Sequence, residues 1–428
     1  MAARDAALHL ITAVLDRHRS LTDVLDEGLA GTTNPADRAF ARLIAATVLR
    51  RLGEIDALLA QRLDRPLPRK AQTVQHILRL GTAQIAFLGS ATHAVVNCGV
   101  EQAKACPGRY DKLVNAILRK IAPVGTDTCP EDPAINVPDW LWSSWRDAYG
   151  IETARHIARA HLREAPLDLS LRDPADTAQW AATLGGTSLA PGHVRLSRAG
   201  DVAALPGYDT GDWWVQDFAA SLPARVLLAG LDNPSGAGVA DLCAAPGGKT
   251  AQIAATGAAV TAVDADPARV TRLESNLTRL RLRATVCTAD VVRWQPEDGR
   301  RFDAVLLDAP CTATGTIRRH PDIPWLKRPD DVAKAAATQH DLLRAALELV
   351  RPGGVLVYAV CSLQREEGKD QIDRLVGGGV VQRAPIREDE CAGIGSPDTY
   401  GDVQTFPHHR AAEGGMDGFF VARLRRPS

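Results

Sequence analysis

From about residue 236 the chain alternates short runs of consecutive apolar residues with longer amphipathic stretches. Apolar runs bounded by turn residues are typical of strands buried on both faces, whereas apolar residues spaced three and four apart are typical of helices. The repeated strand–helix order predicts an α/β fold with a mostly parallel sheet, in which ligands bind at the carboxyl ends of the strands. The predicted strands are AGVADLC (237–243), AVTAVDAD (259–266), ATVCTAD (284–290), FDAVLLDAPC (302–311) and GGVLVYAVCS (353–362).

Residues 1–122 show a different pattern, because their apolar residues recur at helical spacing with no strand-like run between them. The stretches VQHILRLGTAQIAFL (74–88) and YDKLVNAILRKIA (110–122) are the clearest amphipathic helices. A connector with several prolines follows at 122–138 and breaks the helical pattern. The pattern therefore predicts an all-helical N-terminal domain.

The middle of the chain mixes the two patterns on a smaller scale. WLWSSWRDAYG (140–150) favours a helix, LDLSLRD (167–173) and HVRLS (193–197) alternate like strands, and AQWAATLGG (178–186) between them favours a helix. We therefore predict three parts: a helical domain at 1–130, a small α+β connector at 131–222, and the α/β domain at 223–428.

Composition narrows the class of protein. Charged residues make up 24% and hydrophobic residues 45% of the 428 residues, as in a folded globular protein. No apolar stretch reaches the roughly 18–20 residues of a membrane span, and the N-terminus does not read as a signal peptide, so a cytoplasmic location is expected. The eight cysteines include no Cys-x-x-Cys pair, so we expect free thiols and no zinc site.

The net charge of −1 conceals an uneven distribution along the chain. Residues 1–125 carry 17 Lys/Arg against 11 Asp/Glu, whereas residues 126–240 carry 8 against 15. A basic helical domain is compatible with nucleic-acid binding, and it is equally compatible with an ordinary solvated helical surface. Charge alone leaves both interpretations open.

Candidate cofactor residues follow successive predicted strands. DLCAAPGGKT (241–250) is a glycine-rich turn that opens a helix, and it matches neither the phosphate-binding loop nor the dinucleotide pattern G-x-G-x-x-G. Aspartates end the next strands, where an acid can hold a ribose diol. This set suits a cofactor with a ribose and an adenine but without phosphates, and S-adenosylmethionine, whose amino group and sulfonium favour nearby carboxylates, fits it. The candidate residues are Cys243, Ala244, Ala245, Pro246, Gly247, Gly248, Lys249, Asp264, Asp290 and Asp308.

Two cysteines, Cys311 and Cys361, follow consecutive strands and are predicted to share the cofactor's crevice. Carbon 5 of cytosine accepts a methyl group only after a thiolate has added to carbon 6, and loss of the carbon-5 proton then expels the thiolate. A thiol beside a methyl donor therefore indicates a cytosine-C5 methyltransferase, with Asp308 placed to bond the N3/N4 edge of a base that lies outside any helix.

Several of these motifs together resemble one family. DLCAAPGGKT, DAPCTATGTIRRHPDIPW, YAVCSLQREEG, WWVQDFAAS (213–221) and GGMDGFFVARLRR (414–426) are similar to the motifs of the RsmB/Fmu (Nol1/Nop2/Sun) RNA cytosine-C5 methyltransferases. The helical half is similar to the NusB-like RNA-binding domain of the bacterial branch. The resemblance covers nearly the whole chain and implies a Rossmann-like S-adenosylmethionine-dependent domain acting on RNA, with 16S ribosomal RNA as the implied substrate.

The resemblance also implies residue roles. Cys361 corresponds to the nucleophile, Cys311 to the cysteine that assists release of the methylated product, and the segment 243–249 with the three aspartates to the cofactor contacts. The chain departs from the family's usual motifs at Val360, which replaces a threonine, and at Thr312, which replaces a serine. Neither departure removes a reacting group.

RNA contacts are predicted in a further segment, TIRRHPDIPWLKR (316–328). Its arginines and lysine suit phosphates, and Trp325 suits stacking on an unpaired base. The partners expected for the whole chain are RNA, free or within a pre-ribosomal particle, with no membrane and no metal, and the protein is expected to be a monomer.

Two other functions compete with this hypothesis. In a DNA cytosine methyltransferase the Pro-Cys dipeptide would make Cys311 the attacking thiol, but Cys361 and the NusB-like helices argue against that assignment. A non-enzymatic RNA-binding or antitermination factor could keep a methyltransferase fold without activity, but the intact acids and both thiols argue against this alternative.

Overall fold

The computed structural model describes residues 1–197 and 200–428, which form two compact units. The first unit contains Met1–Arg163 and Ile317–Arg328, and the second contains Glu164–Thr316 and Pro329–Ser428. These units do not coincide with the three predicted parts, so the division at 130 and 222 stays a prediction. Within the described ranges, no helix combines the length and the apolar character needed to cross a membrane.

The first unit is helical, as the spacing of its apolar residues predicts. Ser20 and Asn34 cap two of its helices through their side chains, and Pro35 occupies the first turn after Asn34. The apolar faces meet in one core in which Leu10, Ile44 and Leu118 are fully buried. The helices are α1 (Ala2–Leu15), α2 (Leu21–Leu29), α3 (Pro35–Arg50), α4 (Leu52–Ala60), α5 (Gln72–Thr82), α6 (Thr92–Lys104), α7 (Asp111–Ile121), α8 (Asp139–Tyr149) and α9 (Ile151–His161).

The second unit begins with a small antiparallel sheet and one helix: β1 (Leu167–Leu171), α10 (Thr177–Leu184), β2 (Thr187–Ala190), β3 (His193–Leu196) and β4 (Trp213–Val215). The strand order in this sheet is β2-β3-β1-β4. Asp168 and Arg195 face each other in the β1–β3 register and form a buried bidentate ion pair. Arg195 Nε donates to Asp168 Oδ1 at 2.6 Å, and Arg195 Nη2 donates to Asp168 Oδ2 at 2.7 Å. The sequence predicts β1, α10 and β3 but not the two short strands that complete the sheet.

The large sheet has the order β10-β12-β9-β8-β5-β6-β7, with β11 paired to β12, and the strands from β9 to β7 are parallel. In β8, Leu306 belongs to one core cluster while Val305 and Leu307 belong to another, so both faces are buried and the apolar run is continuous. The Rossmann-like fold and its mostly parallel sheet are confirmed. The remaining elements are α11 (Leu222–Ala229), β5 (Gly238–Leu242), α12 (Gly248–Ala254), β6 (Ala259–Asp264), α13 (Pro267–Leu280), β7 (Thr285–Thr288), β8 (Phe302–Asp308), α14 (Ile323–Leu326, in the first unit), α15 (Pro329–Leu349), β9 (Val350–Val360), α16 (Lys369–Gly377), β10 (Gln382–Arg383), β11 (Val403–Gln404) and β12 (Phe420–Arg425).

The segment 317–328, which carries most of the predicted RNA contacts, is partly buried. It packs into the first unit, where Arg318 is only 2% exposed, whereas His320 and Arg328 are exposed. The half-buried Trp325 indole packs against the helical core and donates to the Leu49 carbonyl at 2.8 Å. Asp322 accepts from the Leu21 backbone N–H at 2.8 Å. Both Arg318 and Trp325 therefore have structural environments that the RNA-contact prediction did not foresee.

His161, at the end of α9, is a buried group whose ionisation opposes folding. Burial lowers the pKa of His161 to about 3, with the positive charges of Arg50 and Arg318 adding to the effect. Its ring meets Trp145 edge-on, with ring centroids 5.4 Å apart, and its Nε2 has no hydrogen-bond partner among the described residues. Below about pH 6.5 the unfolded chain therefore binds a proton that the folded chain does not, and stability falls as the pH decreases.

We expect His161→Phe to remove this penalty. Between about pH 7 and pH 5, the variant should lose about 2 kcal/mol less unfolding free energy than the unmodified chain. Urea unfolding at the two pH values measures the difference. His156→Phe on the exposed side of α9 is the matched control and should follow the unmodified chain. Equal pH dependence in all three proteins would contradict the prediction.

Candidate active site

The loop after β5 has a backbone that few residues can adopt. Cys243 and Gly247 both have positive φ, at 58° and 100°. A Cβ on Gly247 would lie 3.1 Å from Leu273 Cγ, so this position combines an unfavourable φ with a close neighbour. Ala244 and Ala245 are buried against Leu273. The small residues of the predicted glycine turn are thus required by its backbone path.

The remaining members of the 243–249 set differ in their exposure. Pro246 is exposed, and its carbonyl accepts from the Asn276 amide at 2.9 Å. Gly248 begins α12. Burial raises the pKa of the Cys243 thiol to about 12, with nearby carboxylates adding to the effect, so this thiol keeps its proton.

The predicted aspartates lie at strand ends but in different settings. Asp264 is 4% exposed, and its carboxylate accepts from the backbone N–H groups of Ala245 at 3.0 Å and of Asp266 at 3.1 Å. These bonds connect the glycine turn to the end of β6, and the carboxylate keeps lone pairs for a ligand hydroxyl. Asp290 is exposed and accepts from the Val292 N–H at 3.0 Å.

Asp308, at the end of β8, forms an ion pair with Lys249 at 2.6 Å. Burial works to lower the pKa of Lys249, but the attraction and hydrogen bond of Asp308 outweigh it and leave that pKa raised. The ammonium also lies 5.3 Å from the centre of the Phe419 ring. Lys249 therefore stays charged at this edge of the sheet.

The structure adds Asp241, which the sequence analysis did not select. This residue of β5 is fully buried, and burial raises its pKa to about 7. Thr250 donates to Asp241 Oδ2 at 2.6 Å, whereas Oδ1 has no hydrogen-bond partner among the described residues. Its position in DLCAAPGGKT, at the same sheet edge as the other acids, is the signal that could have identified it.

The two cysteines meet although fifty residues separate them. Their Sγ atoms lie 3.4 Å apart, which is a contact between two thiols rather than a disulfide. The hydrogen bond to Cys361, burial and the nearby charges of Cys361 and Glu367 hold the pKa of Cys311 well above its ordinary value. Cys311 therefore keeps its proton in this contact with Cys361.

Close backbone contacts hold the loops that carry these thiols. The Gly315 N–H donates to the Cys361 carbonyl at 3.0 Å, and the Gly418 N–H donates to the Gly315 carbonyl at 2.8 Å. A Cβ on Gly315 would lie 2.0 Å from the Gly418 carbonyl oxygen, so only glycine permits this approach. The segment 414–426 thus supports the thiol site directly.

The segment 213–221 meets the same C-terminal segment. Asp217 Oδ1 accepts from the Asp417 N–H at 3.0 Å and from the Ala219 N–H at 2.9 Å.

Val360, where the usual threonine is missing, is fully buried in the apolar core rather than in the polar part of the site. An apolar side chain therefore suits this position.

The donor set fits S-adenosylmethionine. Carboxylates from four parallel strands or the turns that follow them (Asp241, Asp264, Asp290 and Asp308) suit a cofactor with a positive amine and sulfonium, and the buried Asp241 oxygen still has unused acceptor capacity. The tight turn at Gly247 brings the backbone of this loop to the same sheet edge as the acids, followed directly by the first turn of α12. The residues present therefore match the expected cofactor.

Comparisons with known proteins agree with this chemistry. A family model described as 16S rRNA methyltransferase RsmB/F matches residues 228–425, and a NusB family model matches residues 1–123. The ribosomal RNA small subunit methyltransferase B of Xanthomonas campestris is 34% identical over 452 residues, covering 100% of this chain and 98% of the relative. The protein of the same name from Salmonella enteritidis is 35% identical over 439 residues, covering 98% of each chain.

A solved structure shows the same fold over nearly the full length. The crystal structure of PH0851 covers 99% of this chain and 98% of its own, with a TM-score of 0.77 at 21% identity. The chain belongs to the RsmB/F family of S-adenosylmethionine-dependent 16S rRNA methyltransferases, with a helical NusB domain at its N-terminus.

Proposed function

We propose that this enzyme methylates carbon 5 of a specific cytidine in 16S ribosomal RNA through a covalent bond between Cys361 and carbon 6. The observation that carries the proposal is the pair of thiols 3.4 Å apart, at the ends of two adjacent strands and beside the Lys249–Asp308 ion pair. A methyltransferase acting on a nucleophilic atom of its substrate has no need of two adjacent thiols.

Cys361 acts first. Its thiolate adds to carbon 6 of cytosine, and the electron pair of the 5,6 double bond makes carbon 5 nucleophilic enough to take a methyl group. S-adenosylmethionine supplies that methyl group as an electrophile. Loss of the carbon-5 proton to a base then restores the double bond and expels the Cys361 thiolate.

Cys311 assists the last step. In the free enzyme its raised pKa depends most on its hydrogen bond to Cys361, with burial next and the charge of Cys361 after that. Once Cys361 is bonded to carbon 6, it carries neither that charge nor that acceptor strength, so the pKa of Cys311 falls towards its ordinary value. Cys311 thus gives up its own proton more readily and becomes the thiolate, which is the form that can accept the carbon-5 proton of the adduct.

The cofactor and the base edge are assigned to the strand ends. We propose that residues 243–249, Asp264, Asp290 and Asp308 hold S-adenosylmethionine, and that Asp308 also reaches the N3/N4 edge of the target base. Lys249 donates to Asp308 Oδ2 at 2.6 Å and so holds this side chain at the strand end. Residues 1–130 are proposed to dock the RNA, with the enzyme acting as a monomer on free RNA or on an assembling particle.

A methyl-transfer assay tests the substrate and the atom modified. The enzyme is incubated with labelled S-adenosylmethionine and undermethylated 16S rRNA, the same RNA in assembled small subunits, or cytosine-containing DNA. We expect label in RNA, found as 5-methylcytidine by nucleoside mass spectrometry, and none in DNA. Label only in DNA would favour the rival DNA methyltransferase, and label at another atom of the RNA would contradict the carbon-5 assignment.

A further inference from the structure

One buried carboxylate contacts both loops that carry the thiols. Glu367 follows β9 and is fully buried, although its neighbours Arg365 and Glu366 are exposed. Its Oε1 accepts from the Thr312 N–H at 2.8 Å, and its Oε2 accepts from the Thr312 hydroxyl at 2.5 Å and from the Ser362 hydroxyl. Thr312 directly follows Cys311, and Ser362 directly follows Cys361.

Further bonds fix the carboxylate itself. The Gln339 amide, on α15, donates to Glu367 Oε1 at 3.2 Å and to the Pro310 carbonyl at 2.9 Å. The Tyr358 hydroxyl, on β9, donates to the Glu367 backbone carbonyl at 2.6 Å. Burial raises the pKa of Glu367. The hydrogen bonds that Ser362 and Thr312 donate to its carboxylate act in the opposite direction and lower that pKa.

These contacts fix the residues on both sides of Cys311 in the sequence. Gln339 is hydrogen-bonded to Pro310, and the Glu367 carboxylate is hydrogen-bonded to Thr312. On the other loop, the carboxylate holds the residue after Cys361. Both oxygens of a carboxylate accept hydrogen bonds. An amide of the same shape has only one accepting oxygen, and its NH2 group would face a hydroxyl that itself needs an acceptor. The 3.4 Å thiol contact therefore lies between two loops joined through a single acid.

We propose that Glu367 is a positioning residue that sets the distance between Cys361 and Cys311, and so the rate at which the methylated product leaves the enzyme. The part of this inference that concerns release rests on the proposed function, whereas the part that concerns the thiol distance does not. Glu367 acts through its hydrogen bonds to Thr312 and Ser362, the residues that directly follow the two cysteines.

The test compares Glu367→Gln with Glu366→Gln, an exposed neighbour that serves as the matched control. Each protein is treated without RNA with dibromobimane, which bridges two thiols only when they are close, and the Cys311–Cys361 bridge is measured by peptide mass spectrometry. We expect the bridging rate of Glu367→Gln to fall on the order of tenfold or more, because misplacement by about 1 Å costs about 10² in proximity-dependent reactions. Glu366→Gln should react like the unmodified chain.

The second readout is product release. In single-turnover reactions Glu367→Gln should form the protein–RNA adduct and release it on the order of tenfold more slowly, while its affinity for S-adenosylmethionine stays unchanged. A residue with a merely structural role would lower adduct formation, cofactor affinity and folded fraction together.

Thr312 provides an independent pair of variants in case Glu367→Gln does not fold. Thr312→Ser keeps the hydroxyl and should match the unmodified chain, whereas Thr312→Val removes it and should slow both bridging and release. Unchanged bridging in Glu367→Gln and in Thr312→Val would overturn the proposal. If bridging falls but the unmodified enzyme makes no 5-methylcytidine, the positioning of the thiols is upheld and the proposed function fails instead.

Discussion

Replacement of Cys311 by alanine is expected to stop the reaction after methyl transfer and to leave the enzyme covalently bound to its RNA. The thiol of Cys311 lies 3.4 Å from that of Cys361 and is the proposed aid to proton loss from the adduct. Without it, the rate of adduct breakdown should fall about 10²-fold or more, the range in which a positioned acid or base contributes. The adduct should survive denaturation and appear as a slowly migrating band in a denaturing gel.

Replacement of Cys361 by alanine has the opposite signature. Carbon 5 is then never activated, so methyl transfer should fall on the order of 10³-fold or more and no adduct should form. Cys287→Ala, in the middle of β7, is the control, because burial raises the pKa of that thiol and β5 and β6 separate its strand from β8 in the sheet. An adduct that forms in Cys361→Ala but not in Cys311→Ala would reverse the assigned roles and make Cys311 the nucleophile.

The central strands and their sheet were predictable from the sequence because their burial is two-sided. In β8 and β9 consecutive residues face opposite core clusters, which leaves continuous apolar runs that end at chemically distinctive residues. Once the parallel order is inferred, Asp308, Cys311 and Cys361 must share one edge of the sheet. The juxtaposition of the thiols therefore follows from topology, although their 3.4 Å separation does not.

The packing of Arg318 and Trp325 in the segment 317–328 was not predictable, because their residue types are ambiguous. Arginines and a tryptophan suit an RNA-binding loop, yet here the Trp325 indole bonds to Leu49, 276 positions away, and Arg318 is buried. Local sequence carries no information about such a distant partner. The same limit hid Glu367, since nothing in the run Arg-Glu-Glu tells which of the two acids turns inward.

Replacement of Asp308 by asparagine is expected to weaken S-adenosylmethionine binding by roughly 10- to 100-fold, the equivalent of one charge-assisted hydrogen bond of about 1.5–3 kcal/mol. Two effects act in the same direction. The carboxylate that attracts the positive cofactor is lost, and the Lys249 ammonium, only 12% exposed and 2.6 Å from Asp308, is left without its partner. An uncompensated cation at this strand end repels a cofactor that is itself positive.

Asp303→Asn is the matched control, because Asp303 lies at the other end of the same strand and pairs with Arg351 at 2.7 Å on the surface. Calorimetric titration of each variant with S-adenosylmethionine should show weaker binding in Asp308→Asn alone. If Lys249→Met added to Asp308→Asn restores part of the lost affinity, repulsion by the unpaired ammonium accounts for that part, and the remainder measures attraction by the carboxylate. Equal affinities of Asp308→Asn and Asp303→Asn would remove Asp308 from the cofactor site and leave the base edge as its only proposed partner.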